Sequence, residues 1–140
     1  MNPAFKKNGE LLSEIKAASE SAEQFHLWWL GQSGFLIKWR KDYLLFDPYL
    51  SDSLTQKYSQ TDKPHTRITE QTVNPEQLDF VGIVTSSHNH TDHLDAETLL
   101  SIEKARPGLQ LVLPKANIPF ATERLGSNNS IQMLGIDEYE

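Results

Sequence analysis

Apolar residues at Leu11, Ile15, Ala18 and Ala22 follow the spacing of one helical face, which predicts a helix from Glu10 to Gln24. Its stripe ends in small alanines, so it is expected to pack on its own domain. Three short runs rich in aromatic and branched residues come next: His26 to Leu30, Phe35 to Trp39 and Tyr43 to Phe46. Turn chemistry at Gly31-Gln32-Ser33-Gly34 and Arg40-Lys41-Asp42 separates them. Such spacing predicts an antiparallel meander. The third run closes on Asp47-Pro48, where proline stops the ladder and leaves a carboxylate at the strand's C-terminal edge.

From Ser51 to Asn74 the chain is polar and without period, which predicts a long surface excursion of the functional-loop kind. A helical turn at Pro75 to Leu78 precedes the apolar run Phe80 to Val84, which has the composition of a strand covered on both faces. Asp95 is suited to cap a helix carrying Ala96, Leu99, Leu100 and Ile102, ended by Arg106-Pro107-Gly108. Leu109 to Leu113 reads as a buried strand, Ile118 to Leu125 as a helix stopped by Gly126, and Ile131 to Leu134 as a last strand. A meander followed by β-α-β units implies an α/β sandwich with right-handed crossovers.

Composition narrows the function. The net charge of −6 has the wrong sign for a polyphosphate partner, so no nucleic acid is expected. With no cysteine, any metal must be held by nitrogen and oxygen. Neither a signal-peptide core nor a membrane-length apolar run occurs, so no membrane partner and a cytoplasmic location are expected.

Three of the five histidines fall in Ser87-His88-Asn89-His90-Thr91-Asp92-His93, directly after an apolar strand and before a helix. Ligands bind at that end of strands in α/β sheets. An extended His88-x-His90 pair directs both imidazoles to one side, and after the following turn Asp92 and His93 reach a second point nearby. Imidazole and carboxylate suit zinc or manganese, with iron also compatible, as one ion or two. The metal ligands expected are therefore His88, His90, Asp92 and His93. A metal brings the pKa of water toward about 7; Asp92 is the catalytic candidate, orienting that water as well as ligating. The alternative is a histidine-rich surface turn that binds nothing.

The His-x-His-x-Asp-His segment resembles the signature of the metallo-β-lactamase superfamily. Two further stretches, Trp28-Trp29-Leu30-Gly31-Gln32-Ser33-Gly34-Phe35-Leu36-Ile37 and Leu45-Phe46-Asp47-Pro48-Tyr49-Leu50, look like the N-terminal hairpin and Asp-Pro element of its ascorbate-6-phosphate lactonase (UlaG-like) branch. The likeness runs from about Leu27 to Leu134. It implies an αββα sandwich of which this α/β chain is the N-terminal half, a single domain over residues 1–140 preceded by a helical segment at 1–25. His88 and His90 would then bind a first metal and Asp92 and His93 a second. Asp47 would support the loop that carries them, with a plain turn-forming aspartate as the alternative. Complete members add a histidine, a metal-bridging aspartate and a last histidine downstream, none of which occurs here. The implied activity is metal-dependent hydrolysis of a lactone or phosphoester in a small anionic substrate, incomplete in this chain. The alternatives are a phosphodiesterase or nuclease of the same superfamily and a non-catalytic metal-binding or interaction protein. Without an opposing sheet, the inner face lined by the Leu27 to Phe46 meander becomes an association surface, so the expected partner is another copy or a C-terminal half.

The remaining candidates carry less. His65 and Arg67 are expected to be solvated loop residues rather than anion contacts, and His26 structural. Lys115, between a strand and a helix, is a weak phosphate candidate. The three tryptophans are expected to be core.

Overall fold

The computed structural model describes residues 1–137. Helix α1 (Asn8–Ala17) leads into β1 (Phe25–Trp29), β2 (Phe35–Trp39) and β3 (Asp42–Phe46). Then come α2 (Ser53–Tyr58), β4 (Ile83–Thr85), α3 (Ala96–Ala105), β5 (Gln110–Pro114), α4 (Ile118–Leu125) and β6 (Gln132–Ile136). The strands form one sheet in sequential order, β1 to β6. β1 to β3 are the antiparallel meander, and β3 to β6 run parallel.

Strands that advance in one direction through right-handed crossovers carry all their helices on one face. That face holds the core, where Leu36, Leu45, Val84, Leu111 and Leu113 pack with Leu11, Ile15, Leu99, Ile102 and Leu125. Asp95 caps α3 as expected, accepting from the Thr98 backbone N–H at 3.1 Å.

The first helix ends seven residues before Gln24. Ala18 is extended, and the hydroxyls of Ser19 and Ser21 accept the amides of Ser21 and Glu23, a local alternative to helical bonding. Lys38, almost wholly buried on β2, donates to the Ala18 carbonyl at 2.7 Å and so satisfies the helix end. The polar excursion also contains α2, for which no apolar period gave a signal.

The largest departure concerns coverage. β4 is shorter than Phe80 to Val84 and is not covered on both faces, because Ile83 is 38% exposed. Register places Ile83 on the same face as Leu27, Ile37, Leu44, Val112 and Leu134, opposite the helices. Trp29 and Trp39 lie there too, 56% and 46% exposed, and Trp28 alone of the three tryptophans packs against the core. The bare face foreseen for the meander therefore continues across β4 to β6.

Candidate metal centre

Strands β3 and β4 are parallel neighbours with Phe46 opposite Thr85, so Asp47 and Ser86-Ser87 leave the sheet side by side at its C-terminal edge. Asp47 adopts φ 39°, a left-handed conformation tolerated by aspartate more than by most residues. Its carboxylate turns back toward the end of β4. Oδ1 accepts from Thr85 Oγ1 at 2.9 Å and from the Ser87 N–H at 3.0 Å. Oδ2 accepts from the Ser87 hydroxyl and from His93 Nδ1, the latter at 2.7 Å. Burial pushes the carboxyl pKa up, but the hydrogen bonds from Ser87, His93 and Thr85 outweigh it and hold Asp47 below the ordinary aspartate value.

These bonds determine which imidazole nitrogens are available. A carboxylate only accepts, so the His93 proton toward Asp47 sits on Nδ1 and the Nε2 lone pair is left free. The Ser87 hydroxyl spends its proton on Asp47, so it accepts from His88 Nδ1, 3.0 Å away, and His88 Nε2 is freed in the same way. Asp47 therefore orients His93 directly and His88 through Ser87. Ligand atoms of Asp47, His88 and His93 lie within 4.8 Å of one another. His93 Nε2 faces Asp92 Oδ2 at 3.6 Å. The rings of His88 and His93 are 4.1 Å apart and those of His88 and His90 4.6 Å, measured between centroids.

Of the four motif residues expected as ligands, the structure brings His88 and His93 together, with Asp47 as the third member of the group; His90 and Asp92 stand outside it, His90 with its ring against His88 and Asp92 with Oδ2 beside His93 Nε2. Two free imidazole nitrogens and nearby carboxylates form a nitrogen and oxygen donor set suited to a divalent ion.

The loop is held from three sides. His93 and Leu94 donate backbone N–H groups to the His90 carbonyl, and Leu94 is buried beneath the turn. Ser33, from the first turn of the meander, places its hydroxyl 2.6 Å from the Asp92 carbonyl and 3.0 Å from that of Asp47. Arg124 on α4 donates to the Asn89 and Leu94 carbonyls at 2.8 and 3.1 Å. Neither Ser33, Thr85, Ser87 nor Arg124 was singled out from sequence, since isolated serines, threonines and arginines carry no spacing signal.

The weaker candidates lie elsewhere. Arg67 is neither solvated nor a substrate contact. It is buried, stacks over Tyr49 and donates to the carbonyls of Ser51 and Thr69, fastening the polar excursion to the segment after Asp47. His65 sits edge-on to Tyr49 with Nδ1 3.4 Å from Thr55 Oγ1. His26 stacks on Trp28. Lys115 pairs with Asp137 at 3.1 Å.

Three clefts adjoin the cluster, one of them, of about 350 Å³, between Asp92, Ser33 and Trp29. Another, of about 410 Å³, has His90 and Asp92 in its lining, with Lys57 and Tyr58 on one wall and Phe120 and Arg124 on another. The third, about 380 Å³, runs from Asp47 and Ser87 to Pro114 and Ile136 on the bare face. A separate cavity of about 400 Å³ between the N-terminal segment and β1 touches none of the motif histidines.

No curated protein matches the chain. Among solved structures, it is similar to an isothiocyanate hydrolase from Delia radicum gut bacteria, with a TM-score of 0.59 and 18% identity over 82% of this chain. It is also similar to CmlA, a diiron beta-hydroxylase from Streptomyces venezuelae, with a TM-score of 0.53 and 23% identity over 84% of this chain. The chain spans 42% of the first relative's length and 21% of the second's. These likenesses speak to the fold: a six-stranded mixed sheet matching part of a metallo-β-lactamase fold. The model of the beta-lactamase superfamily domain matches residues 26–134, nearly the span over which the sequence carries the resemblance, and the chain belongs to the metallo-β-lactamase superfamily.

Proposed function

We propose that the protein is a metal-dependent hydrolase of the ascorbate-6-phosphate lactonase-like kind, acting on a lactone or phosphoester in a small anionic substrate. The observation that carries this reading is the bonding of His93, with Nδ1 on Asp47 and Nε2 facing Asp92. A carboxylate behind an imidazole fixes its tautomer and raises its basicity as a ligand. His88, His90, Asp92 and His93 would hold zinc, manganese or iron, and Asp47 would orient them. The ion would supply Lewis acidity that makes hydroxide accessible near neutral pH.

The chain's own groups do the rest. Asp92, with 42% of its side chain exposed, can accept a proton from water held beside His93. Lys57 and Arg124 give the adjoining cleft a cationic rim, which favours an anionic substrate. The net charge of −6 argues against the phosphodiesterase or nuclease alternative.

One observation favours a non-catalytic metal-binding role for the chain by itself. Among the described residues, the two histidines outside the motif, His26 stacked on Trp28 and His65 edge-on to Tyr49, do not join the cluster. Divided between two ions, the four motif residues would supply two ligands each, whereas catalytic zinc generally has three protein ligands with one position open. Purified chain loaded with zinc or manganese, assayed on a lactone and on a phosphomonoester, should therefore bind metal, with turnover that is low and metal-dependent. Chelation should abolish that turnover and added metal restore it. Turnover surviving exhaustive chelation would contradict the hydrolytic reading.

A further inference from the structure

We propose that Gln32, at the tip of the turn between β1 and β2, is a specificity-determining residue whose side-chain amide donates to an oxygen atom of the substrate. The inference rests on the hydrolytic reading of the metal centre and adds a second recognition point to it. Backbone strain marks the position. Gln32 adopts φ 48°, a left-handed conformation uncommon outside glycine, asparagine and aspartate. Such a residue persists only where its surroundings over-determine it, and strained residues gather at functional sites. The Gln32 N–H donates to Thr69 Oγ1 at 3.0 Å, and the Gln32 carbonyl accepts from Trp29 Nε1 at 3.0 Å. Its side-chain Oε1 accepts the backbone N–H groups of Ile68 and Thr69 at 3.0 and 3.2 Å and the Thr69 hydroxyl at 3.2 Å. Gly31 permits this approach, since a Cβ there would lie 2.7 Å from Thr69 Oγ1.

Those bonds leave one group over. Backbone N–H groups only donate, so the end of the amide that faces Ile68 and Thr69 is the oxygen and the other end is Nε2. Nε2 carries two N–H donors, and among the described residues neither meets a partner. The tie to residues 68–69 uses the oxygen alone and would be made equally by a carboxylate. The donor is what glutamine adds.

The surroundings give that donor a use. Ser33, the next residue, reaches the opposite way, with its hydroxyl against the carbonyls of Asp47 and Asp92. The turn tip is therefore wedged between the metal loop and residues 68–69, and it lines the cleft of about 350 Å³ with Asp92 on one side and Ile68 and Thr69 on the other. Asp92 also lines the cleft rimmed by Lys57 and Arg124, so the two clefts meet at one carboxylate. Among the described residues, Asp92 is the only charged group lining the Gln32 cleft. A substrate that spans both clefts places its anionic end against Lys57 and Arg124 and an uncharged, oxygen-bearing end against Gln32. A few fixed polar groups in a cleft set ligand orientation, and amide N–H groups select a carbonyl or hydroxyl oxygen.

Two uncharged lactones test the assignment on the full chain: ribonolactone, whose ring carries hydroxyls, and butyrolactone, whose ring carries none. Gln32→Glu keeps an oxygen for the Ile68 and Thr69 amides and removes only the donor. In the zinc-loaded wild type kcat/KM should favour ribonolactone. Gln32→Glu should cut that preference roughly fivefold, the worth of about one hydrogen bond, through KM and not kcat. Butyrolactone kinetics and zinc affinity should stay unchanged, whereas loss of a merely structural tie would depress both lactones together. Binding is read separately by nuclear magnetic resonance on the metal-free chain, where no turnover is needed. The Gln32 side-chain amide signals, identified by their loss in Gln32→Glu, should shift on addition of ribonolactone and stay in place with butyrolactone. That shift without any metal-dependent turnover would support the donor while removing the hydrolytic reading. Amide signals unmoved by ribonolactone, or a lactone preference that survives in Gln32→Glu, would overturn the assignment.

Discussion

His93 Nδ1 lies 2.7 Å from Asp47 Oδ2, joining residues 46 apart in sequence, Asp47 directly after β3 and His93 in the turn that follows the parallel strand β4. The bond fixes the tautomer that leaves Nε2 available, so Asp47 acts on the cluster through His93 without having to touch the metal itself. Asp47→Asn keeps one oxygen acceptor but removes the charge. Zinc affinity measured calorimetrically should fall about 10–100-fold, with the helical circular dichroism retained. An unchanged affinity would show that Asp47 is only a turn residue.

Ser87→Ala removes the hydroxyl that accepts from His88 and donates to Asp47. The expected stability loss is about 1 kcal/mol by urea titration, with a metal affinity loss smaller than that of Asp47→Asn. A loss exceeding that of Asp47→Asn would mean that His88, and not His93, is the ligand Asp47 chiefly orients.

Because the Asp47 pKa is held below its ordinary value, its hydrogen bonds stabilise the fold fully above about pH 4 and lose that contribution as pH falls through the lowered folded value. The gap in urea midpoint between wild type and Asp47→Asn should therefore narrow from about pH 4 downward. A gap constant between pH 6 and pH 2.5 would contradict the assignment.

Much of the fold was legible because the strands carry dense aromatic and branched residues bounded by Gly, Asp and Pro. All six appear at the expected places, with ends shifted by a few residues. His88 and His93 were legible as a pair because they are close in sequence, whereas the placing of Asp47 with them, ahead of His90 and Asp92, depends on the parallel pairing of β3 with β4, which no local spacing shows. The end of α1 was not, since Ala18 and Ala22 continue a helical period that the Ser19 and Ser21 hydroxyls interrupt. Arg67 was misread as solvated because its carbonyl partners come from Ser51 and Thr69, which no local pattern connects to it. The exposure of Ile83 was illegible because an apolar run is the same string whether one face is covered or two.

Arg67→Met tests the fastening of the excursion. It keeps the bulk over Tyr49 but leaves buried carbonyls without a donor, and should cost about 2–3 kcal/mol in a urea titration. A cost below about 0.5 kcal/mol would place Arg67 among ordinary surface residues.

Lys38→Met removes the donor at the C-terminal end of α1 while preserving most of the buried stem. Hydrogen exchange should accelerate in Leu12 to Ala17 well before β4 or β5 is affected. Uniform acceleration across the sheet would show that Lys38 serves the core and not the helix.

The central claim is that His88, His90, Asp92 and His93 form one metal centre supported by Asp47. Calorimetric zinc titration of the wild type beside His88→Ala, His93→Ala and His26→Ala tests it most directly. Saturable uptake by the wild type and by His26→Ala, abolished in both motif variants, is the predicted result. Uptake that persists in His88→Ala and His93→Ala, or that is lost in His26→Ala, would contradict it.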